Sequence, residues 1–403
     1  MNTAENEIKK GQCLYCGNNP TPHTATYISE SILVLVSPFG KFINVFNRPL
    51  LYKVFHHTLI SGWVRFLELL HLIHFTNDSS TACSQRSGVI WAEAIRRGIT
   101  MEQMVISDKP VEQYRAYLGG RWHYFGSIPI PPSADRRAYL WMDSKVALKK
   151  YLKEHGVRVP QGGGASTRAQ AEEIFNAVLK PVIVKPENGS RGRHTLTNLS
   201  TIEDLHHGFK VASQLCYRVV VEEHLKGSVY RGTYVGGEIV GVLRGDPPRI
   251  TGDGVSTIEQ LIEKKNREKH EGVKDVVVSE VIREFLARQG YTTMSIVEKG
   301  KTIDIIEKIG LSYGGDAVEE FPLAHPKLLD ALKKAGDVLG VPVIGFDFIS
   351  EDITKDPDTV RWGIIEANSV PFIDLHHFPR EGAPINVAGK VWDLWSLYSY
   401  SKK

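Results

Sequence analysis

The chain has 403 residues, of which 42% are apolar and 24% charged, and its 49 basic and 46 acidic residues give a net charge of +3. The length predicts two or three domains with sizeable cores, and the composition is that of a globular protein, not a disordered or fibrous one. A charge so close to neutral, with no basic block, is unlike that of nucleic-acid-binding proteins, and we expect no nucleic-acid partner.

Four cysteines in a chain of this length do not make a disulfide framework, which favours a reducing, cytoplasmic location. Cys13 and Cys16 form a lone CxxC pair. A zinc site would need two further ligands, and Cys83, Cys216 and His23 offer no matching second pair. The sequence therefore disfavours a structural zinc, and it leaves the role of the CxxC pair open.

No secretory signal is expected, because the first 12 residues are polar. The most apolar stretch, Leu59–Phe75, is interrupted by a polar residue at every third position from Arg65 to His74. A membrane-spanning helix needs about 20 apolar residues, so we expect no integral membrane segment. The stretch predicts a helix that is mostly buried, with a polar stripe at solvent. Docking on a membrane surface is the alternative.

The first 140 residues contain both strand and helix patterns. A short apolar run predicts a strand over Ile32–Val36, and a glycine-terminated stretch predicts a helix over Gly88–Gly98. The proline-rich segment Ser127–Pro132 breaks regular structure and predicts a linker. We therefore expect a separate N-terminal domain over residues 1–140.

After the linker, a helix is predicted to begin at the N-cap Asp143 and to end near Glu154. Gly162–Gly164 is expected to form a loop. The β-branched runs Val182–Pro186 and Val219–Glu223 predict two buried strands.

The second half of the chain carries clear turn and capping signals. Hairpins are predicted over Tyr230–Leu243, turned at its two glycines, and over Ser295–Ile306. Thr257 and Gln260 have the spacing of a capping box that opens a helix. Pro326 lies in the first turn of a further helix, which Gly340 ends.

Oxygen ligands lie on two apolar strands that follow this helix. Side chains alternate along a strand, so Glu366 and Asn368 point the same way, and Asp347 lies on the preceding strand. Two carboxylates and a carboxamide suit Mg²⁺, which completes its shell with water and nucleotide phosphates. The alternative is that Asp347 merely ends a strand and Glu366 lies on a solvated face.

Phosphate binding requires cationic and backbone groups elsewhere in the chain. Lys145 lies in a first helical turn, and Lys185 ends a buried strand beside a turn that contains Gly189 and Gly192. Glycine lets backbone N–H groups approach phosphate oxygens closely. Each lysine alone could be a surface charge; their combination with the oxygen ligands favours a nucleotide site.

In this order, the motifs over about residues 140–390 resemble the ATP-grasp superfamily of carboxylate–amine ligases. The likeness is strongest to the ATP-grasp half of cyanophycin synthetases and weaker to glutathione synthetases and D-alanine–D-alanine ligases. The segments that carry it are Val182–Pro186 with the following loop, Val220–Glu223, Tyr230–Arg231, Ile250–Leu261, Gly314–Gly315, Gly345–Asp347 and Ile365–Pro371.

The resemblance implies an α/β (α+β) ATP-grasp fold, in which two α/β subdomains grip ATP behind a divergent N-terminal domain. The implied boundaries are 1–140, 141–225 with the phosphate lid, and 226–403 with the magnesium and substrate site. The implied cofactors are ATP and Mg²⁺, with two ions. The implied partners are small-molecule acid and amine substrates, and a homodimer is left open.

The resemblance also implies a role for each matching residue. The ATP lysines are Lys145 and Lys185, with Gly189 and Ser190 in the lid; Glu222, Glu223 and Leu225 contact adenine; Arg231 and Lys308 are the catalytic cations; and Asp347, Glu366 and Asn368 bind the metal. Our own hypothesis adds three substrate contacts: Arg249, as a cation for an acidic substrate, and His376 and His377, which follow the metal strand. The alternative for the two histidines is that they are packed loop residues.

The reaction that the resemblance implies is phosphorylation of a carboxylate by ATP, followed by attack of an amine on the acyl phosphate. Two alternatives on the same fold are a carboxylate kinase and a non-catalytic nucleotide-binding regulator. Val229 replaces an acidic residue near the ribose, and His194 replaces a lid glycine. Phe372 and Asp374 replace a glycine and an arginine on the substrate side, so the substrate cannot be carried over. No second ligase half follows in this sequence, so alternating polymerisation is not expected.

Overall fold

The computed structural model describes residues 13–16, 20–36, 59–188, 192–269, 273–306 and 314–400. In those ranges, the α-helices are α1 (His23–Val36), α2 (Ser61–Leu69), α3 (Gln85–Arg96), α4 (Lys145–Glu154), α5 (Arg168–Ala177), α6 (Ile202–Ala212), α7 (Ile258–Glu268), α8 (Glu280–Arg288), α9 (Pro326–Leu339), α10 (Asp374–His377) and α11 (Val387–Tyr400). Short 3₁₀ turns lie at Leu14–Cys16, Ser79–Thr81, Arg137–Leu140 and Phe321–Leu323.

The strands of the same ranges form four antiparallel sheets. They are β1 (Ile73–Thr76), β2 (Met101–Ile106), β3 (Lys109–Leu118), β4 (Arg121–Phe125), β5 (Gly162–Ala165), β6 (Val182–Pro186), β7 (Leu196–Leu199), β8 (Val219–Glu223), β9 (Ser228–Val235), β10 (Glu238–Asp246), β11 (Arg249–Thr251), β12 (Thr302–Asp304), β13 (Asp316–Glu319), β14 (Val343–Ser350) and β15 (Trp362–Asn368). The strand orders are β1-β2-β3-β4, β5-β8-β6-β7, β13-β10-β9-β14-β15 and β11-β12.

The first sheet, β1–β4, packs against α3 and the last helix, α11. Burial alternates along β2, as expected for a strand with one face toward a core. The core of this region includes Trp91, Tyr114 and Phe125 and continues into Val343 of the central sheet and Trp392 of α11. The N-terminal sheet therefore shares one hydrophobic core with the central sheet.

The second sheet, β5–β8–β6–β7, is covered by α5 and α6. Its core contains Phe175 and Phe209 from these helices and Val184 and Val221 from the two middle strands. This sheet carries the strand that ends near Lys185.

The central five-stranded sheet positions the candidate site by the alternation of its strands. Phe346 and Phe348 on β14 face a core that also contains Leu148 of α4 and Leu332 of α9. The residue between the two phenylalanines, Asp347, therefore faces the opposite side of the sheet. The N-terminal region covers part of that side, and the remainder carries the polar site.

A smaller unit is built on β11 and β12 with α7 and α8. Ile250 and Ile303 of the two strands and Ile258 and Leu286 of the two helices share its core. The predicted capping box is confirmed: Thr257 and Gln260 bond each other's backbone N–H groups at the start of α7.

Several predicted elements are confirmed by the structure. They are the helix over α3, the buried strands β6 and β8, the β9–β10 hairpin, the helix α9 with Gly340 in the left-handed conformation at its end, and the strands β14 and β15.

Three predictions in the N-terminal half are wrong in part or in full. Ile32–Val36 belongs to α1, because a short apolar run cannot be told from a helix segment by periodicity alone. The helix predicted over Leu59–Phe75 ends at Leu69, and β1 follows after His71, whose φ of 55° takes the backbone out of the helix. Ser144, not Asp143, is the N-cap of α4.

Two glycine-containing segments also differ from expectation. Gly162–Gly164 lies in the edge strand β5 and not in a loop. The strand approaches β8 so closely that a Cβ at Gly162 would lie 2.2 Å from the carbonyl oxygen of Val221, which explains the glycine at that position. Ser295–Ile306 does not form a hairpin, since β12 pairs with β11 and thereby buries Ile303.

In the described part of the chain, no helix combines the length and the apolar character needed to cross a bilayer.

Candidate active site

Three neighbouring strands of the central sheet place charged side chains in one row. Asp347 on β14 lies directly opposite Arg231 on β9 and opposite Glu366 on β15. Asn368 follows two residues after Glu366 and therefore shares its face. The three predicted metal ligands and the predicted catalytic arginine are thus brought together by strand register alone.

Asp347 is held by two neighbours. The Arg231 guanidinium donates to both of its oxygens, Nε to Oδ1 at 2.8 Å and Nη2 to Oδ2 at 2.9 Å. The Asn368 amide nitrogen donates to Oδ2 at 3.1 Å. Rotation of the Asn368 amide would turn its oxygen toward a cation placed between Asp347 and Glu366.

The α4 helix brings a lysine to the same row. Lys145, the first residue of α4, is 8% exposed, and its Nζ lies 3.7 Å from Oε2 of Glu366. Asp143, just before the helix, accepts hydrogen bonds from the backbone N–H and the hydroxyl of Ser369 at 3.1 and 2.9 Å. These bonds fix the start of α4 to the end of β15, so Lys145 and Glu366 stay close.

A buried trio of charges lies next to Lys145. Glu222, 2% exposed, pairs with Lys185 at 2.5 Å and with Lys149, which lies one turn after Lys145 on α4. Burial alone would raise the pKa of Glu222, but attraction to Lys149 and Lys185 outweighs it and lowers that pKa to about 2. Burial lowers the pKa of Lys149 to about 7, against the opposing attraction of Glu222.

The positive charge of this trio is the electrostatic feature that favours an anion. Two lysines share one carboxylate, and Lys145 is a further cation beside them. A fixed cation 4 Å from a unit negative charge contributes about 4 kcal/mol at an effective dielectric constant near 20. Lys149 was missed by the sequence analysis; its spacing of four residues from Lys145 was the available signal.

The predicted adenine contacts lie where the second sheet joins the central sheet. Leu225 is 5% exposed, and its Cδ1 lies so near Gly363 that a Cβ on that glycine would be only 3.2 Å away. Glu223 accepts a hydrogen bond from Arg361 at 2.7 Å. Glu223 is the last residue of β8, and Leu225 lies in the short connection to β9. A hinge between the two sheets is expected at this connection. Glu222, by contrast, faces the two lysines, so its adenine contact stays a prediction.

Four further predicted site residues lie away from this row or outside the described residues. Gly189, Ser190 and Lys308 are outside the described residues. Arg249 begins β11 of the smaller unit. It pairs with Asp304 of β12 at 2.5 Å and with Asp246, the last residue of β10, at 3.3 Å. The structure does not bring it into the row of Arg231, and its substrate role stays a prediction.

The two histidines of α10 are engaged inside the protein. His376 is completely buried and bonds Thr233 at 2.7 Å and Glu319 at 2.6 Å. His377 accepts a hydrogen bond from the backbone N–H of Ala388, in the first turn of α11. Burial, followed by repulsion from His376, lowers the pKa of His377 to about 4. These contacts favour the alternative of packed histidines over substrate contacts.

The substrate side includes a residue of the N-terminal region that sequence reasoning missed. The guanidinium of Arg86, on α3, lies 5.3 Å from the centre of the Phe372 ring, and that of Arg231 lies 5.7 Å from it. Arg86 also donates to Ser127 at 2.9 Å and to the Val370 carbonyl at 3.3 Å. No sequence signal linked Arg86 to residues almost 300 positions later.

Asp374 completes this group from a buried position. It is 6% exposed, and its Oδ1 is buried without a hydrogen-bond partner in the described structure. Burial raises the pKa of Asp374, although the charges of Arg86 and Arg231 act against that rise. A buried carboxylate oxygen without a partner is costly unless a ligand satisfies it.

The donor set fits a magnesium nucleotide. Asp347, Glu366 and Asn368 supply hard oxygen atoms on one face of a sheet, as Mg²⁺ requires. The buried Lys145 lies beside this set, next to Lys149 and Lys185, and these cations could hold phosphate groups. These residues would hold Mg²⁺ and the phosphates of ATP, and the metal would neutralise charge on the transferring phosphate.

Comparisons with known proteins identify several relatives. The cyanophycin synthetase of Synechocystis sp. is 30% identical over 259 residues, which is 62% of this chain and 30% of that protein. The glutathione biosynthesis bifunctional protein GshAB of Clostridium perfringens is 28% identical over 395 residues, which is 91% of this chain and 50% of that protein. The second likeness includes part of residues 1–140, beyond the range of the sequence motifs. No protein-family model matches the chain.

Among solved structures, a bifunctional glutathione synthetase from Pasteurella multocida superposes with a TM-score of 0.59 at 24% identity, covering 78% of this chain and 44% of that one. This likeness shows the fold. The chain spans half or less of the length of these relatives. The chain therefore has the ATP-grasp fold that its motifs predict, and it is similar in sequence to a cyanophycin synthetase and to GshAB over much of its length.

Proposed function

We propose that this protein is an ATP-dependent, ADP-forming ligase that joins the carboxylate of an amino acid or small peptide to an amine. The observation that carries the proposal is the row Arg231–Asp347–Glu366 beside the lysines of α4 and β6. The relatives named as synthetases, which catalyse bond formation, support it.

In the proposed first step, a carboxylate oxygen of the acid attacks the γ-phosphorus of ATP, and the bond to the bridging oxygen of ADP breaks. Lys145, Lys149 and Lys185 would hold the phosphates, and Arg231 would stabilise the negative charge on the transferred group. Mg²⁺ ions, two in this proposal, would be held by Asp347, Glu366 and Asn368. The products of this step are ADP and an acyl phosphate.

In the second step, the amine nitrogen attacks the acyl carbon, inorganic phosphate leaves, and the nitrogen loses a proton. Holding the two reactants in line can supply roughly 7–11 kcal/mol of the barrier. The proposed reactant site lies beside Phe372, with Arg86 available to a carboxylate and Asp374 to an ammonium group. This pair of opposite charges favours a zwitterionic substrate such as an amino acid.

An ADP-release assay with a panel of amino acids and dipeptides tests the proposal, and mass spectrometry identifies the products. We expect ADP to form only when an acid and an amine are both present, together with a product that has lost one water. Glu366→Gln should abolish this turnover while the fold is retained. ADP formation without an amine would indicate a carboxylate kinase. Tight ATP binding without ADP across the whole panel would indicate a regulatory protein.

A further inference from the structure

Four metal-binding side chains meet where the N-terminal segment packs on the second sheet. One ligand atom from each of Cys13, Cys16, His23 and His194 lies within 4.8 Å of all the others. The Cys13 sulfur is 3.3 Å from Nε2 of His194. The Cys16 sulfur is 3.3 Å from Nε2 of His23 and 3.5 Å from Nε2 of His194. The sequence analysis found no second ligand pair because His194 lies 178 residues after Cys16.

These separations match the edges of a tetrahedral site. Zinc bonds of about 2.3 Å to sulfur and 2.0–2.1 Å to nitrogen place neighbouring ligand atoms roughly 3.3–3.8 Å apart. Two thiolates and two imidazoles in tetrahedral array are a set that selects zinc. We propose that Cys13, Cys16, His23 and His194 bind one Zn²⁺ ion, a site separate from the proposed active site.

The surroundings of His194 prepare its Nε2 for a metal. The Val211 carbonyl lies 2.8 Å from Nδ1, and because a carbonyl only accepts, Nδ1 carries the proton and the Nε2 lone pair of the neutral imidazole faces the two cysteine sulfurs. Such an outer contact fixes the tautomer and the orientation of a histidine ligand. The His194 backbone N–H also donates to the carbonyl of Tyr15 at 3.0 Å, between the two cysteines.

The backbone conformation of His194 gives a second reason to infer that its side chain is a metal ligand. Its φ is 51°, in the left-handed region that favours glycine, and its side chain is completely buried. A buried imidazole on a strained backbone is costly, and a ligand role explains why the side chain is present. Cys16, which is also completely buried, faces it in the same pocket.

The site would be structural, because four protein ligands leave no open position for catalysis. It would fasten the N-terminal segment to the turn that leads into β7. Two hydrogen bonds also join the N-terminal segment to this region: Tyr15 bonds His207 at 3.1 Å, and the Asn188 amide donates to the Glu30 carbonyl at 3.3 Å. His194 directly follows the 188–193 turn, the predicted phosphate lid, so zinc would anchor one end of that turn.

Metal analysis of the full chain tests the inference. The protein is purified under reducing conditions without chelators, and its zinc is measured by mass spectrometry of the ions. We expect about one Zn²⁺ per chain. After removal of the metal, added Co²⁺ should give the visible bands and sulfur charge-transfer absorption of a tetrahedral thiolate site, and Zn²⁺ should abolish them.

Three variants locate the ion. Cys16→Ser should reduce the zinc content at least tenfold, and so should His194→Gly, which suits the backbone conformation and removes the proposed ligand. Cys83→Ser, at an exposed cysteine outside the cluster, should retain the wild-type content. Circular dichroism of each variant shows that it is folded.

Wild-type protein with reduced thiols that contains no zinc and takes up neither Zn²⁺ nor Co²⁺ would overturn the inference. So would full zinc content in folded His194→Gly, or a disulfide between Cys13 and Cys16 in protein isolated from a reducing cytoplasm. None of these results depends on ATP turnover, so they are distinct from a failure of the proposed ligase activity.

Discussion

Arg231 donates hydrogen bonds to both carboxylate oxygens of Asp347 across the β9–β14 pair, at 2.8 and 2.9 Å. The guanidinium thus satisfies both oxygens of a carboxylate that is also a proposed metal ligand. Binding of a magnesium nucleotide would replace one positive partner of Asp347 by another and free Arg231 to contact the transferring phosphate.

The first prediction follows from this exchange. Asp347→Asn removes a proposed metal ligand and the partner of Arg231, so we expect at least a hundredfold loss of kcat for ADP formation and a higher Mg²⁺ requirement. Mg²⁺ titrations of ADP release measure both effects. Asp358→Asn, at an exposed aspartate paired with Arg158, is the matched control and should behave as wild type. Unchanged Mg²⁺ dependence in Asp347→Asn would remove this residue from the metal site.

The second prediction concerns Glu222, the only carboxylate that the described structure shows paired with Lys149 and Lys185. Glu222→Gln leaves two buried lysines without their counter-charge, and we expect a destabilisation of about 3 kcal/mol at pH 7. Lys149, whose pKa is about 7, can lose its proton and limit this cost. Urea unfolding followed by tryptophan fluorescence measures the change.

The neighbouring Glu223 provides the control for this measurement. Its partner Arg361 is 46% exposed, so Glu223→Gln should cost less than about 1 kcal/mol. Equal effects of the two substitutions would show that the two buried lysines, Lys149 and Lys185, do not depend on Glu222 as their counter-charge.

The third prediction places Arg86 on the substrate side. Arg86→Ala should raise the KM of the acid substrate roughly tenfold to a hundredfold, the range expected for one charge-assisted hydrogen bond, and leave the KM of ATP unchanged. Arg96→Ala, at a position 65% exposed on the same helix, should change neither constant. A rise in the KM of ATP alone would contradict the assignment of Arg86 to the acid.

The sequence predicted those parts of the site that lie within one element or on neighbouring strands. Glu366 and Asn368 share a face because strands have a period of two, and Lys185 ends a recognisable β-branched run. Lys149, Arg86 and His194 were missed because their roles depend on partners brought together by the tertiary fold: Glu222, Phe372 and the N-terminal cysteines. The error over Gly162–Gly164 has the same origin, since only contact with β8 makes those glycines a strand.

The last prediction concerns the acid sensitivity of His377, which caps the start of α11. Its imidazole accepts a hydrogen bond from the Ala388 N–H, an acceptor that protonation would destroy. The groups that face it are His376, which disfavours the charge, and Glu93 on α3, which favours it; burial dominates and lowers the pKa from 6.5 to about 4. Between these two values the unfolded chain binds more protons than the folded one, so stability must fall as the pH falls from 6.5 to 4.

His377→Gln tests this assignment, because the glutamine side-chain oxygen can accept the same hydrogen bond and does not titrate. At pH 7 we expect the variant to be within about 1 kcal/mol of wild type. Between pH 6.5 and 4, wild type should lose up to about 2 kcal/mol more than the variant, a figure that allows for partial solvent screening of His377. Urea unfolding midpoints at pH 7, 5.5 and 4.5 give the comparison. Parallel curves for the two proteins would mean that His377 takes up its proton without loss of the cap, and that the acid sensitivity of this region lies in another group.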